Sequence, residues 1–115
     1  MNGYPQMIRI ALAQINATVG DFHGNYRKMV DFIGRAKKAG AHLVVFPELA
    51  VTGYPPEDLL LKPRFIEKNL EITKGLIGET DGICAAWGFV DQPKKNGPLW
   101  NAAMVAQTRR RVGIY

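Results

Sequence analysis

Two apolar runs, IRIALAQI (8–15) and HLVVFP (42–47), stand on either side of one amphipathic stretch, and that order restricts the fold more than any other feature of the chain. The first run is rich in Ile, Leu and Ala with a single charge, which suits a strand covered on both faces. NATVGDFHGN (16–25) reads as a loop, because Asn, Gly and Asp cluster there. From Asn25, taken as the N-cap, apolar residues recur at Tyr26, Met29, Val30, Ile33 and Ala36, the spacing of one helix face. Arg35, Lys37 and Lys38 crowd the last turn and Gly40 follows, as at a helix end. The second run is short and is stopped by Pro47. Strand, helix, strand predicts a βαβ unit whose strands are parallel neighbours joined by a right-handed crossover.

Beyond it, PEDLLL (56–61) predicts a helical turn, with Pro56 at its start and Glu57 and Asp58 at its positive end. PRFIEKNLEITKGLIG (63–78) predicts a helix with Phe65, Ile66, Leu70, Thr73, Leu76 and Ile77 inward. GICAAWGFVD alternates large Ile83, Trp87 and Phe89 with small Cys84, Ala86 and Gly88, so one face is bulky and the other closely approached. DQPKKNGP is a turn, LWNAAMVAQT pairs back as a hairpin, and VGIY begins a further strand. Trp87 and Trp100 read as core aromatics on neighbouring strands. The whole is an α/β chain of 115 residues, one unit with a moderate core.

The formal charge of +5 raises the question of an acidic partner. The basic residues are dispersed, however, and the densest cluster, Arg109-Arg110-Arg111, reads as a solvated turn with no interleaved aromatics, so no nucleic-acid partner is expected. The opening MNGYPQMIRIALAQI lacks a basic leader and a small-residue cleavage site, and so does not read as a secretory signal. No run approaches the ~18 apolar residues of a membrane helix. A single cysteine, Cys84, excludes an internal disulfide framework and fits a reducing compartment, the cytoplasm. Placed in a buried strand, Cys84 reads as a small apolar filler. His23 and His42 have no partners at metal-ligand spacing; Asp21 and His23 read as a loop-stabilising pair.

The chemistry concentrates in LVVFPELAVTGYPPEDLLL (43–61). An apolar strand ends on Glu48, and ligands of open α/β sheets bind beyond the carboxyl ends of strands. Pro47, Gly53, Pro55 and Pro56 stiffen the backbone on both sides, so the corner can hold a carboxylate and the Tyr54 ring in fixed relation. A carboxylate kept partly out of water beside Phe46 and Leu49 suits a general base.

IRIALAQINATVGDFHGN, the basic helix and AHLVVFPELAVTGYPPEDLL together resemble the opening of the nitrilase, or carbon–nitrogen hydrolase, superfamily. More narrowly, TGYPPEDLLL with PRFIEKN resembles the glutamine-hydrolysing domain of glutamine-dependent NAD synthetases, and the likeness continues through WGFVDQ and LWNAAMV. The resemblance implies the N-terminal portion of a four-layer α-β-β-α sandwich, cut before the domain ends, with uncovered sheet faces. It implies a Glu, Lys and Cys set in which cysteine attacks an amide carbon, glutamate shuttles protons and lysine stabilises the oxyanion. Glu48 matches the glutamate, and Tyr54 would line the glutamine pocket. The lysine and cysteine would follow Tyr115, Cys84 not being the nucleophile, so these residues alone are expected to be inactive. A longer parent would use glutamine as substrate and pass ammonia to its own synthetase domain, where ATP, Mg and deamido-NAD bind; no cofactor or metal is expected in this chain. Family likeness also implies a homo-oligomer. A stand-alone amidase acting on an ω-amide, a carbamoyl group or a nitrile, and a non-catalytic assembly module, are the alternatives.

Overall fold

The computed structural model describes residues 7–115; the opening MNGYPQ lies outside the described residues. Five strands, β1 (Ile10–Leu12), β2 (Leu43–Val45), β3 (Cys84–Asp91), β4 (Trp100–Gln107) and β5 (Arg110–Ile114), form one sheet in sequence order. β1, β2 and β3 are parallel, with Ile10 beside Leu43 and Leu43 beside Cys84. β4 and β5 run antiparallel, with a register shift between Val105 and Ala106. The expected βαβ unit is present, and a second one follows it. The helices α1 (Phe22–Lys38) and α2 (Pro63–Ile77) are the two crossovers.

Register decides which residues share a face, because strand side chains alternate. Val44, Ala85, Trp87, Phe89, Ala102, Met104 and Ala106 fall on one face and are buried under the helices, together with Met29, Ile33, Ile66 and Leu76. Phe22 and Phe65 meet between the helices, their ring centroids 5.0 Å apart. The bulky face of β3 is therefore the helix-covered core, as its alternation predicts. The opposite face carries Ile10, Leu12, Leu43, Val45, Ala86 and Ala103 and, among the described residues, has no helical layer over it. Ile10 and Leu12 are 52% and 74% exposed, so the described residues cover only the helix-side face of β1.

Several local expectations shift. Helix α1 begins at Phe22, capped by Asp21, whose carboxylate accepts from Gly24 N at 3.0 Å; His23 lies in its first turn rather than pairing with Asp21 in a loop. Asn25, expected as the cap, is instead buried and bridges two loops. Glu57–Leu61 forms a 3-10 turn after Pro56, close to the expected place. Trp87 is buried, whereas Trp100 is 59% exposed, because it opens β4 beside Pro93, Lys94 and Pro98 of the hairpin turn rather than under the helices. Arg109 sits with Thr108 in a tight turn where both have positive φ (65° and 53°). Arg110 and Arg111 belong to β5, not to the turn, because a two-residue loop of this kind lets pairing resume at once.

Candidate active site

Glu48 lies three residues past the end of β2, in a turn that crosses β3 at Gly88 on the uncovered face. Phe46 N still donates to Ala86 O at 2.9 Å, which keeps the chain on the sheet up to Pro47. The backbone then lies directly on Gly88. A Cβ on that residue would stand 2.2 Å from Leu49 N and 2.9 Å from Glu48 Cα, separations that no side chain can occupy. Gly88 is thus the floor of the Glu48 turn. The closely approached face of β3 is approached here, and by this segment.

The far side of the turn is held as firmly. Leu49 has φ 47°, a left-handed conformation that costs a bulky residue energy and needs surrounding structure to impose it. That support comes from Gly53 N donating to Leu49 O at 2.9 Å and from Val51 N donating to Gly88 O at 3.3 Å. The fully buried Asn25 accepts from Thr18 N at 2.8 Å and donates to Thr18 O at 2.8 Å and Val51 O at 3.1 Å. Gly53 has φ 81°, and a Cβ there would meet Val19 N at 2.5 Å, so only glycine serves. Asn69 of α2 clamps the end of β3 through Val90 N (3.0 Å) and Val90 O (2.6 Å).

Around Glu48 opens a cleft of about 320 Å³, lined by Val45 to Glu48, by Ala86 to Gly88, by Asn101 to Ala103, and by Tyr115. Its walls are mainly apolar, with few polar side chains. Asn101, on β4, donates from Nδ2 to Glu48 Oε1 at 2.6 Å. Among the described residues Glu48 is exposed rather than partly out of water, because the helices cover only the other sheet face.

The remaining sequence candidates separate from this point. Tyr54 follows in the same corner, next to a cis peptide bond with Pro55, but it is 64% exposed and is not among the residues that line the cleft. Cys84 is half-buried on the uncovered face, four residues along β3 from Gly88, or roughly 13 Å at strand spacing. Burial pushes its thiol pKa up, the wrong direction for a nucleophile. Among the described residues no three His, Cys, Asp or Glu side chains gather as a metal site would require.

The carbon–nitrogen hydrolase family profile matches residues 9–115. The chain belongs to the carbon–nitrogen hydrolase family. Among curated proteins it is 37% identical over 110 residues to the glutamine-dependent NAD(+) synthetase of Thermotoga maritima, covering 94% of this chain and 19% of that protein. Among solved structures, a glutamine-dependent NAD(+) synthetase from Cytophaga hutchinsonii superposes with a TM-score of 0.87 at 28% identity, over 93% of this chain and 18% of that one. An amidase from Nesterenkonia sp. AN1 superposes with a TM-score of 0.84 at 26% identity, over 94% of this chain and 41% of that one. That structure is a glutamate-to-glutamine variant with the acetamide moiety of fluoroacetamide added covalently at the active site cysteine. The described carbon–nitrogen hydrolase residues thus form the N-terminal part of the α-β-β-α fold, one sheet with its helical layer. The chain spans about a fifth of the length of the synthetases it matches.

Sequence reading did not find Asn101 or Asn69. Each acts through a partner distant in sequence, and only register or packing reveals it. The signal for Gly88 was present in the alternation of β3, without its partner.

Proposed function

We propose that this carbon–nitrogen hydrolase chain is the N-terminal part of a glutamine amidase domain that supplies ammonia for ATP-dependent conversion of deamido-NAD to NAD. The observation that carries the reading is Glu48, seated on Gly88 at the mouth of an apolar cleft, in a chain that aligns with NAD synthetases along nearly its whole length. In this reading a cysteine supplied after Tyr115 attacks the glutamine carboxamide carbon. The S–C bond forms and the C–N bond breaks, while the thiol proton passes through the Glu48 carboxylate to the departing nitrogen, which leaves as ammonia. Water then attacks the thioester, Glu48 accepts its proton, and glutamate and the thiol are released. A lysine, also after Tyr115, stabilises the oxyanion of both tetrahedral states.

Tyr54, on the stiff corner six residues after Glu48, belongs to the glutamine pocket in this reading; its exposed ring is free to meet a ligand or a further segment. ATP, Mg and deamido-NAD bind to a synthetase domain outside these 115 residues. The protein works in the cytoplasm as a homo-oligomer, an expectation that rests on family likeness and on the single cysteine.

The likeness to an amidase supports a second reading, a stand-alone amidase. The higher identity to the synthetases over the same share of the chain favours the first. Ammonia release from glutamine by the full-length protein, measured beside NAD formation from deamido-NAD and ATP, separates them. NAD formation driven by glutamine is the expected result; ammonia release from simple amides with no NAD formation would overturn it.

A further inference from the structure

Glu48 has three rotatable side-chain bonds and stands exposed at the edge of a cleft, so the turn alone places its Cα but not its oxygens. A proton carrier that serves a thiol first and an amine next must present an oxygen to both within about half an ångström. Something beyond the backbone has to fix the carboxylate. We infer that Asn101 is the positioning residue for Glu48: its amide holds Oε1 and leaves Oε2 to carry the proton. The inference rests on the reading of Glu48 as that carrier.

The geometry supplies the reasons. Asn101 Nδ2 donates to Oε1 at 2.6 Å, a short hydrogen bond. Among the described residues Oε2 has no hydrogen-bond or ion-pair partner. Asn101 lies on the uncovered face of β4, opposite Val90 and one alternation step from Ala103, which pairs with Gly88. The absent side chain at Gly88 lets the Glu48 turn lie low enough on β3 for its carboxylate to reach the next strand. Floor and anchor thus form one device that spans three strands.

The donor type also suits the task. A lysine or arginine in this place would hold the carboxylate strongly, but its full positive charge would weaken the base it holds. A neutral amide orients without that penalty. Among the described residues Asn101 is exposed and takes no part in the helix-covered core.

Asn101→Asp, Asn101→Ala and Asn101→Gln in the full-length protein test this, with Glu48→Gln as reference, each assayed for kcat and KM of glutamine hydrolysis and for thermal midpoint. Aspartate has the shape of asparagine but replaces the donor with a negative oxygen facing Oε1. A residue that merely filled space would tolerate it. The positioning role predicts that Asn101→Ala lowers kcat by roughly 10- to 100-fold with KM changed less than about threefold. It also predicts that Asn101→Asp falls below Asn101→Ala, that Asn101→Gln recovers part of the loss through its amide, and that thermal midpoints stay unchanged. Glu48→Gln inactive with Asn101→Asp at wild-type kcat would overturn the inference and leave the reading of Glu48 standing. Glu48→Gln that still hydrolyses glutamine would overturn that reading, and the inference with it.

Discussion

Substituting Gly88 by alanine gives a prediction whose sign is decided by one contact. At an unobstructed strand position the change would stabilise the protein by about 0.4–1 kcal/mol, because alanine has less freedom to lose on folding. Here the new Cβ would lie 2.2 Å from Leu49 N and 2.9 Å from the Glu48 Cα and carbonyl carbon, about 1 Å or more inside optimal contact at the nearest atom. Both neighbours are backbone, so neither can rotate away. The turn must lift, and it is tied down by Val51 N to Gly88 O and by Asn25 to Val51 O. Overpacking of this kind costs about 1–3 kcal/mol, which exceeds the entropic gain. The lift also carries Glu48 away from Asn101, and a displacement of about 1 Å costs a reaction of this type up to roughly 100-fold in rate. Urea denaturation should show a lower midpoint at unchanged slope, and the full-length Gly88→Ala protein should lose glutaminase activity. A variant as stable as the wild type, with kcat within twofold, would refute the claim that Glu48 rests on this glycine.

Removing the Asn25 amide by Asn25→Ala leaves Thr18 N, Thr18 O and Val51 O without their buried partner and should cost about 3 kcal/mol in urea titration. A loss below about 1 kcal/mol would mean that water replaces it. Alkaline pH should destabilise the chain. Burial raises the pKa of Cys84 above the ordinary 9.0, and burial together with the Glu79 carboxylate raises that of Tyr26 above the ordinary 10.0. The folded state therefore holds both protons more tightly than the unfolded one. The stability they contribute is complete below pH 9 and is lost as pH rises through the folded-state values. Tyr26→Phe should flatten the upper part of that decline; an unchanged curve would show that the phenol does not contribute.

Much of this was legible because periodicity records which side of an element is covered. The spacing of Met29, Ile33 and Ala36 marked the buried stripe of α1, and the alternation of β3 separated its helix face, with Trp87 and Phe89, from the face that receives the Glu48 turn. Coverage among the described residues departs from expectation where composition was the only guide. The apolar run before β2 suggested a strand buried on both faces, but Ile10 and Leu12 project where the described chain has no layer. Trp100 follows the same logic, since an aromatic residue at a strand's first position can lie beyond the helices. The N-cap shifted from Asn25 to Asp21 because both are good caps, and tertiary contacts gave Asn25 another role. Asn101 was illegible for a different reason. Its partner lies 53 residues away and two strands over, and no local pattern encodes a cross-sheet register.

The central claim is that Glu48 moves the proton in glutamine hydrolysis, and Glu48→Gln in the full-length protein tests it most directly, with NAD formation followed separately from glutamine and from ammonium as nitrogen donor. The substitution keeps the size of the side chain and removes its basicity. A proton-carrying Glu48 requires that glutamine-driven formation fall by roughly 100- to 10,000-fold, the usual contribution of a general base, while ammonium-driven formation is preserved. Glutamine-driven formation at the wild-type rate would contradict it.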